Sequence, residues 1–318
     1  KSAEEKEKID WTTRELELIH ILEKYRRNDG YYDCLIPVSG GKDSTFQVLT
    51  MLKAGMHPLC VTFAQCDVTP EGQHNLNNIA ELGVDHIIFR PNREVYKKLF
   101  AKSFEKLGDP CWPCHVGIFT YPIRVAVNYS IPLIIWGENS QLEYGGPASN
   151  KGSVLTNTWL QEFGGMQGQR VEDWLGEFTR AELEPYFYPT DKELKNTTGL
   201  FLGYYLKWDA RKQLELVEKR GFKRLKKPKT GAILDYENVD CVFVEFHDYL
   251  MYLKYGFGRA TTQASIDIRN KRLTREEAIK LVKKHDGKYK KLKEFCEFTG
   301  LSEQKAKEVF EKFRNKAI

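Results

Sequence analysis

Six consecutive residues near the start of the chain combine the side chains and the backbone freedom that a bound phosphate requires. They follow an apolar run at residues 32–38 and include two glycines, two hydroxyl groups, one lysine and one aspartate. In order they are Ser39, Gly40, Gly41, Lys42, Asp43 and Ser44. Glycines let the backbone approach an anion closely. A loop between a strand and a helix directs unpaired N–H groups and the positive end of the helix dipole at that anion, so the pattern predicts a phosphate-binding loop.

This loop differs from the common nucleotide-binding P-loop. The P-loop has a glycine five positions before its Gly-Lys pair and a serine or threonine after the lysine. Those two positions are occupied by Ile36 and Asp43 in this chain. Residues 39–44 therefore predict a different kind of phosphate site.

Predicted strands and helices alternate through residues 11–136, which places the loop in a sheet. The apolar runs of strand length are at residues 32–38, 58–63, 85–89 and 132–136. The helical patterns are at residues 11–28, 43–54, 71–82, 92–107 and 116–128. This alternation is typical of an α/β fold with a doubly wound parallel sheet. The ligand of such a sheet lies beyond the carboxyl ends of the strands, where we expect residues 39–44, 63–67 and 137–140 to emerge.

The character of the sequence changes after residue 144. Residues 1–144 form the predicted α/β domain with its N-terminal helix, and the stretch at residues 145–185, rich in glycine and asparagine, is interpreted as an insertion or lid. Residues 186–318 are rich in aromatic side chains and predict a mainly helical C-terminal domain for substrate or partner binding. Within it, Thr274 with Glu277 forms a capping box, and Ser302 is a helix cap.

Composition limits the classes of function. The chain of 318 residues has 49 basic and 44 acidic residues, which gives a net charge of +5. This small excess suits an anionic small molecule and is too weak to indicate a nucleic-acid partner. No apolar run approaches the ~18 residues of a membrane span. The seven cysteines, an odd number in dissimilar contexts, are typical of reduced thiols, so we expect a soluble cytoplasmic protein.

The loop and two longer stretches carry a family resemblance. The run SGGKDS resembles the pyrophosphate loop of the N-type ATP pyrophosphatases, whose fold is adenine nucleotide alpha hydrolase-like. Residues 108–140 and 252–287, the latter with YGFGRATTQASIDIR, resemble the N-acetyl sugar amidotransferase family within that superfamily. Its members act in bacterial surface-polysaccharide pathways, including lipopolysaccharide and O-antigen biosynthesis and the pathways of pseudaminic and legionaminic acid derivatives.

The resemblance implies an ATP-dependent amidotransferase. ATP donates AMP to the oxygen of an acetamido group on a nucleotide-linked or free sugar acid, pyrophosphate leaves, and ammonia displaces AMP to give an acetamidino group. Residues 39–44 are implied to bind ATP, with Mg²⁺ bridging the phosphates. The implied catalytic residues are Lys42, Asp43 and Glu138, and the two acids orient the metal directly or through water.

Three residues at strand ends are implied at the nucleoside of ATP. Thr62 and Phe63 are expected to lie against the adenosine, and Gly137 to leave room for the nucleotide. Each also suits a plain strand end, and for Thr62 the two interpretations have equal weight.

None of the cysteines has the setting that a glutaminase nucleophile needs. That nucleophile lies at a mature N-terminus or in a tight elbow flanked by glycines, with a histidine partner. The resemblance therefore implies a separate glutaminase subunit of the histidine-biosynthesis type, paired with a cyclase-like subunit, as the source of ammonia. The basic run at residues 223–229 either belongs to that contact or forms a solvated loop.

Cys111 and Cys114 form a spaced cysteine pair. The spacing suits two ligands of one tetrahedral Zn²⁺ ion, although a closed site needs four ligands. Alternatively, the two are reduced thiols packed beneath the nucleotide site. A rival function also exists, because certain tRNA-thiolating enzymes join the same loop to an iron–sulfur cluster, for which Cys241 would be the third ligand. The small net charge and the sugar-family resemblance argue against this rival.

Two arginines and one aspartate in the C-terminal resemblance, Arg259, Arg269 and Asp267, are candidates for substrate binding. The planar guanidinium groups of Arg259 and Arg269 match a sugar carboxylate or phosphate. Alternatively, either arginine forms a structural ion pair, for example with Asp267.

Overall fold

The computed structural model describes residues 7–65, 67–138, 154–155 and 166–317. The chain forms two compact units, each assembled from three separate stretches. The first unit comprises Lys1–Gln65, Gly72–Pro91 and Cys114–Lys223, and the second comprises Cys66–Glu71, Asn92–Pro113 and Arg224–Ile318. The predicted boundaries after residues 144 and 185 divide the chain into consecutive segments, and they stay predictions. Of the predicted insertion, residues 145–153 and 156–165 lie outside the described part of the chain.

A six-stranded sheet organises the first unit. Its strands are β1 (Cys34–Pro37), β2 (Pro58–Phe63), β3 (Asp85–Phe89), β4 (Leu133–Trp136), β5 (Val154–Leu155) and β6 (Thr198–Phe201). Their order across the sheet is β3-β2-β1-β4-β6-β5. All neighbouring strands pair in parallel except β5, which is antiparallel to β6. The predicted parallel α/β sheet is therefore confirmed.

Helices connect the strands and form most of the second unit. They are α1 (Trp11–Tyr25), α2 (Lys42–Lys53), α3 (Pro70–Asn78), α4 (Arg93–Leu107), α5 (Trp112–Asn128), α6 (Arg180–Leu183), α7 (Asp191–Leu194), α8 (Leu202–Tyr205), α9 (Ala210–Glu218), α10 (Val244–Tyr255), α11 (Arg259–Arg269), α12 (Arg275–His285), α13 (Leu292–Thr299) and α14 (Glu303–Phe313). No described helix combines the length and the apolar character that crossing a bilayer requires.

The central strand β1 is buried on both faces, as its unbroken apolar sequence predicts. Ile36 belongs to one hydrophobic cluster, together with Leu22 of α1 and Met51 of α2. Its neighbour Leu35 belongs to another cluster, together with Ile123 of α5. Because successive side chains of a strand point to opposite faces, this division places helices against both sides of the sheet.

The sequence patterns did not predict β6, which lies in the stretch interpreted as mainly helical. It has four residues, one of which is Gly199, so its local strand signal is weak. The strand is defined by its partner, since β4 pairs with it from Leu133 opposite Thr198 to Trp136 opposite Phe201. Pairing between distant segments, and not local propensity, makes this stretch a strand.

Phenylalanine rings form the core of the second unit. Phe246 of α10 stacks on Phe295 of α13 with a centroid separation of 4.0 Å. Phe104 of α4 meets Phe295 edge-on at 4.9 Å. All three rings are fully buried, so they hold these helices together by apolar burial and ring geometry.

The helix caps predicted in this unit are confirmed. The backbone N–H of Glu277 donates to the Thr274 hydroxyl at 3.2 Å, and the Thr274 N–H donates to the Glu277 carboxylate at 2.9 Å. The Ser302 hydroxyl accepts from the N–H of Lys305 at 3.1 Å. Both caps satisfy N–H groups that the first turn of a helix otherwise leaves unpaired.

Candidate phosphate-binding site

The loop at residues 39–44 leaves the sheet between β1 and α2, as predicted. Its two hydroxyl groups stabilise the loop itself. The Ser39 hydroxyl accepts from the Gly41 N–H at 3.2 Å. The Ser44 hydroxyl accepts from the Ser39 N–H at 3.3 Å and donates to the Gly41 carbonyl at 3.1 Å. The turn is therefore held in shape by its own side chains before any ligand binds.

Gly40 is the position in this loop where only glycine fits. Its φ is +77°, a left-handed conformation that L side chains rarely adopt. A Cβ atom at this position would lie 2.6 Å from the Leu76 backbone nitrogen and 2.8 Å from the Asn75 carbonyl carbon. The loop thus packs directly against the backbone of α3, which fixes its position in the first unit.

Helix α2 begins at Lys42, immediately after the glycines. The first N–H groups of a helix have no carbonyl partner within it, and with the helix dipole they attract anions. Lys42 is 5% exposed, and its Nζ lies 2.7 Å from an oxygen of Asp43. The Asp43 side chain is 39% exposed, so a cation in solvent has access to its carboxylate.

Trp208 also contacts Asp43, and the sequence analysis did not identify it. Its Nε1–H donates to the carboxylate of Asp43 at 3.2 Å, across 165 residues of sequence. Its ring meets Phe46 edge-on with a centroid separation of 5.6 Å. No sequence signal marks Trp208, because only the packing of the chain against α2 brings it to the loop.

Gly137 follows β4, and the space beside it is filled by Gln47 of α2. A Cβ atom at Gly137 would lie 2.4 Å from Nε2 of Gln47 and 3.6 Å from the ring of Trp208. Gln47 is 5% exposed, and its Oε1 has no hydrogen-bond partner among the described residues. The structure therefore brings Gly137 close to Gln47 of α2, and its predicted role of leaving room for the nucleotide stays a prediction. Glu138 is half-buried beside it, and its role toward a metal stays a prediction.

Thr62 lies at the end of β2 with its hydroxyl engaged inside the unit. The hydroxyl donates to the carbonyl of Val38 at 2.6 Å and lies 2.8 Å from Nε2 of His86. Because the single hydroxyl proton goes to the carbonyl, the hydroxyl oxygen accepts from His86, which places the ring proton on Nε2. The side chain of Thr62 thus joins β2 to β1 and β3, and its predicted contact with adenosine stays a prediction.

Phe63 is also packed inside the first unit, with 4% of its surface exposed. Its ring lies 5.7 Å from Tyr186 and 5.7 Å from Phe89, measured between centroids. A Cβ atom at Gly117 of α5 would approach the ring to 2.4 Å. These contacts occupy the ring, and its predicted contact with adenosine stays a prediction.

His86 gives stability a pH dependence. Burial lowers its pKa to about 4, because removal from water penalises the charged ring. In the unfolded chain the pKa returns to about 6.5, so between pH ~4 and ~6.5 the unfolded state binds up to one more proton than the folded state. Stability is therefore fully present above pH ~6.5 and is lost as the pH falls toward ~4.

We expect a smaller loss of stability at low pH in His86→Gln than in the wild type. The comparison is the urea midpoint at pH 7 and at pH 5 for each protein. His20→Gln, at an exposed position of α1, is the matched control and should lose as much as the wild type. An equal loss in His86→Gln would show that another group causes the dependence.

The two predicted substrate arginines differ in their ion pairing. The Arg259 guanidinium binds Asp248 with nitrogen–oxygen distances of 2.9 and 3.2 Å. Asp267 pairs with Arg272 at 3.5 Å, and its predicted pairing with Arg259 or Arg269 stays a prediction. Each acid pairs with the arginine that packing brings to it. Arg269 forms no ion pair among the described residues. The roles of Arg259, Arg269 and Asp267 in substrate binding stay predictions.

The cysteines of the proposed metal and cluster sites are buried or half-buried. Cys111 belongs to the second unit and Cys114 to the first, and both are buried. Their shared metal ion stays a prediction, as does the iron–sulfur alternative.

Burial raises the pKa of the Cys241 thiol to about 12, so it is protonated at neutral pH. Its carbonyl accepts from Lys229 Nζ, which gives that member of the basic run a structural contact.

A cavity of about 830 Å³ opens elsewhere in the first unit. Its lining includes Arg170, Glu172, Tyr188 and Asp191. The volume is in the range of sites for small molecules, and the charged lining suits a polar ligand.

A protein-family model matches part of the chain. Residues 218–318 match the model of the "LPS biosynthesis protein WbpG-like, C-terminal domain". The uncharacterized protein MJ1599 of Methanocaldococcus jannaschii is 31% identical over 123 residues, which cover 38% of this chain and 43% of that protein. The chain thus spans less than half the length of this curated relative.

The solved structure of NMN synthetase from Francisella tularensis is 14% identical, with a TM-score of 0.36, and the alignment covers 94% of this chain and 96% of that one. The similarity that bears on function is therefore that of residues 218–318 to a lipopolysaccharide biosynthesis family.

Proposed function

We propose that the chain is an ATP-dependent amidotransferase of bacterial surface-glycan biosynthesis, releasing AMP and pyrophosphate. The observation that carries the proposal is the geometry of residues 39–44. The loop packs at Gly40 against the backbone of α3, and it leads into a helix whose first turn contains Lys42 and Asp43. The similarity of residues 218–318 to a lipopolysaccharide biosynthesis family supports a glycan substrate. We infer an adenine nucleotide alpha hydrolase-like fold on the basis of the loop and its place in the sheet.

The first turn of α2 would bind the phosphates of ATP. Its N–H groups and Lys42 are donors to phosphate oxygens. Asp43 fits a role toward Mg²⁺, since its carboxylate is partly exposed and oxygen ligands suit this ion. Mg²⁺, when bound, neutralises the charge that develops on the leaving pyrophosphate. Glu138, half-buried just after β4, is the second acid proposed to hold it.

The reaction uses ATP because an amide carbonyl has no good leaving group. Transfer of AMP to the amide oxygen forms a new P–O bond and releases pyrophosphate. Ammonia then adds to the carbon, and AMP departs with the former amide oxygen. The acetamido group becomes an acetamidino group. The chain's contribution is to align the phosphates with the sugar, which lowers the entropic part of the barrier.

We propose that the adenosine binds at the carboxyl ends of β2 and β4. The Thr62 hydroxyl and the Phe63 ring have contacts inside the unit. The backbone of these residues, and not their side chains, is therefore proposed to contact the nucleoside. Gln47, with its buried Oε1, is a candidate acceptor for a ribose hydroxyl.

Substrate and ammonia require two further proposals. Arg269 is the stronger candidate for an anionic group of the sugar, because Arg259 is engaged by buried Asp248.

Ammonia comes from a glutaminase subunit paired with a cyclase-like subunit in the cytoplasm. The exposed Lys226 and Lys227 are candidates for that contact.

Pyrophosphate release from ATP tests the proposal. The purified chain is given ammonium chloride and a panel of nucleotide-linked and free diacetamido sugar acids, and mass spectrometry follows the sugar. We expect no release without a sugar, at most about one equivalent of pyrophosphate per enzyme with a sugar alone because adenylation precedes ammonia attack, and continued release with sugar and ammonia together. The sugar product should carry NH in place of oxygen. Release with tRNA and sulfide instead would establish the thiolating alternative. ATP binding without release under either condition would contradict both and indicate a nucleotide-binding subunit without turnover.

A further inference from the structure

We propose that Asp109, Cys111 and His247 form a binding site for a zinc-like transition-metal ion in the second unit. One potential ligand atom from each side chain lies within 4.8 Å of those of the other two. Elsewhere in the described part of the chain, histidine, cysteine and acidic side chains form no such group. The proposal is independent of the amidotransferase activity.

Two of the ligands lie on a short, rigid connection between α4 and α5. The carbonyl of Pro110, between them, accepts from the hydroxyl of Ser103 at 2.9 Å. The N–H of Cys111 donates to the Asp109 carboxylate at 2.9 Å. These bonds hold the backbone and the carboxylate in place, so ordering them adds little to the cost of binding a metal.

The third ligand comes from the first turn of α10. Nδ1 of His247 lies 3.0 Å from an oxygen of Asp109. Two ligands of a tetrahedral zinc ion, each bonded at ~2.0 Å, lie roughly 3.3 Å apart. The observed separation is close to this value, so a metal ion can replace the hydrogen bond with little movement of the two side chains.

The donor types and the burial indicate the class of metal. A thiolate and an imidazole select zinc and similar transition metals over Mg²⁺ and Ca²⁺, which prefer oxygen. Asp109 and Cys111 are each 7% exposed, and the His247 side chain is 19% exposed. A divalent ion would supply positive charge to the buried carboxylate and favour the thiolate form of the cysteine. Three protein ligands leave a fourth position for water or another donor.

The site changes which residues are expected to act with Cys111. Its spacing from Cys114 predicted a metal bound by that pair. The geometry instead gives Cys111 a carboxylate two residues before it and a histidine that lies 138 residues after this carboxylate. Such a metal would tie the α4–α5 connection to α10 and stabilise the second unit.

Metal content and cobalt spectra test the proposal on the full chain. After removal of any metal-binding tag and dialysis against Zn²⁺, we expect about one ion bound through these three residues. The Co²⁺-loaded protein should show a thiolate-to-cobalt charge-transfer band. In Cys111→Ser this band should disappear, and in His247→Gln the zinc affinity should fall at least about tenfold. Cys296→Ser, at another buried thiol of the same unit, is the matched control and should keep both the band and the affinity.

A second readout does not depend on the variants folding. In the wild type, bound zinc should protect Cys111 from iodoacetamide, as measured by mass spectrometry of its peptide. No zinc in the dialysed wild type, or unchanged zinc and cobalt spectra in a folded Cys111→Ser, would overturn the proposal. Alkylation of Cys111 at the same measurable rate with and without zinc would overturn it as well, and would favour a thiol that binds no metal beside a His–Asp pair.

Discussion

Gly40→Ala is expected to reduce ATP-dependent pyrophosphate release by at least about 10²-fold, because a displacement of ~1 Å at a reacting group has an effect of this size. The new Cβ atom would lie 2.6 Å from the Leu76 nitrogen and 2.8 Å from the Asn75 carbonyl carbon. Both atoms belong to the backbone of α3, so neither can turn aside as a flexible side chain would. The loop must therefore shift, and with it the N-terminus of α2 that is proposed to hold the phosphates.

Gly30→Ala separates this effect from simple backbone strain. Gly30 has the same φ of +77°, but no atom lies within 4 Å of its potential Cβ. Both variants carry the strain of a left-handed alanine, about 1–2 kcal/mol, and both should show it as a lower urea midpoint. Only Gly40→Ala should also lose activity in protein that is folded by circular dichroism. Equal activity in the two variants would show that the loop position is not needed for the reaction.

Asp43→Asn is expected to lower the rate of pyrophosphate release on the order of 10³-fold, the effect of removing one preorganised charge-stabilising group from an active site. The amide keeps an oxygen that can accept from Trp208 Nε1, which bonds Asp43 at 3.2 Å. It removes the negative charge proposed to hold Mg²⁺. We therefore expect a folded protein that binds ATP nearly as well, with the loss confined to turnover.

The matched control for this variant is Glu94→Gln. Glu94 lies in the first turn of α4, and its carboxylate is 3.8 Å from the ammonium group of Lys97. The variant removes a comparable first-turn charge with a lysine partner, at a residue of the second unit that the proposed site does not include. It should change stability by no more than about 1 kcal/mol and leave pyrophosphate release unchanged. Full turnover in Asp43→Asn at saturating Mg²⁺ would remove Asp43 from the proposed mechanism.

The sequence by itself determined the parallel sheet, its first four strands and the loop after β1. These features have local signatures. Buried parallel strands are continuous apolar runs, such as residues 58–63, and a helix start is marked by its capping residues, as at Thr274. The glycines and hydroxyls of residues 39–44 likewise specify a turn from within, because the hydroxyls of Ser39 and Ser44 bond the loop's own backbone.

The tertiary structure alone decided which distant side chains meet. Trp208 at Asp43, Gln47 at Gly137 and His247 beside Asp109 are neighbours through packing. Periodicity and motif spacing describe a segment and its immediate neighbours, so they carry no information about such partners. The same reason explains two features that the sequence patterns did not predict. β6 is a strand because β4 pairs with it, and Arg259 binds Asp248 because α10 brings that acid to it.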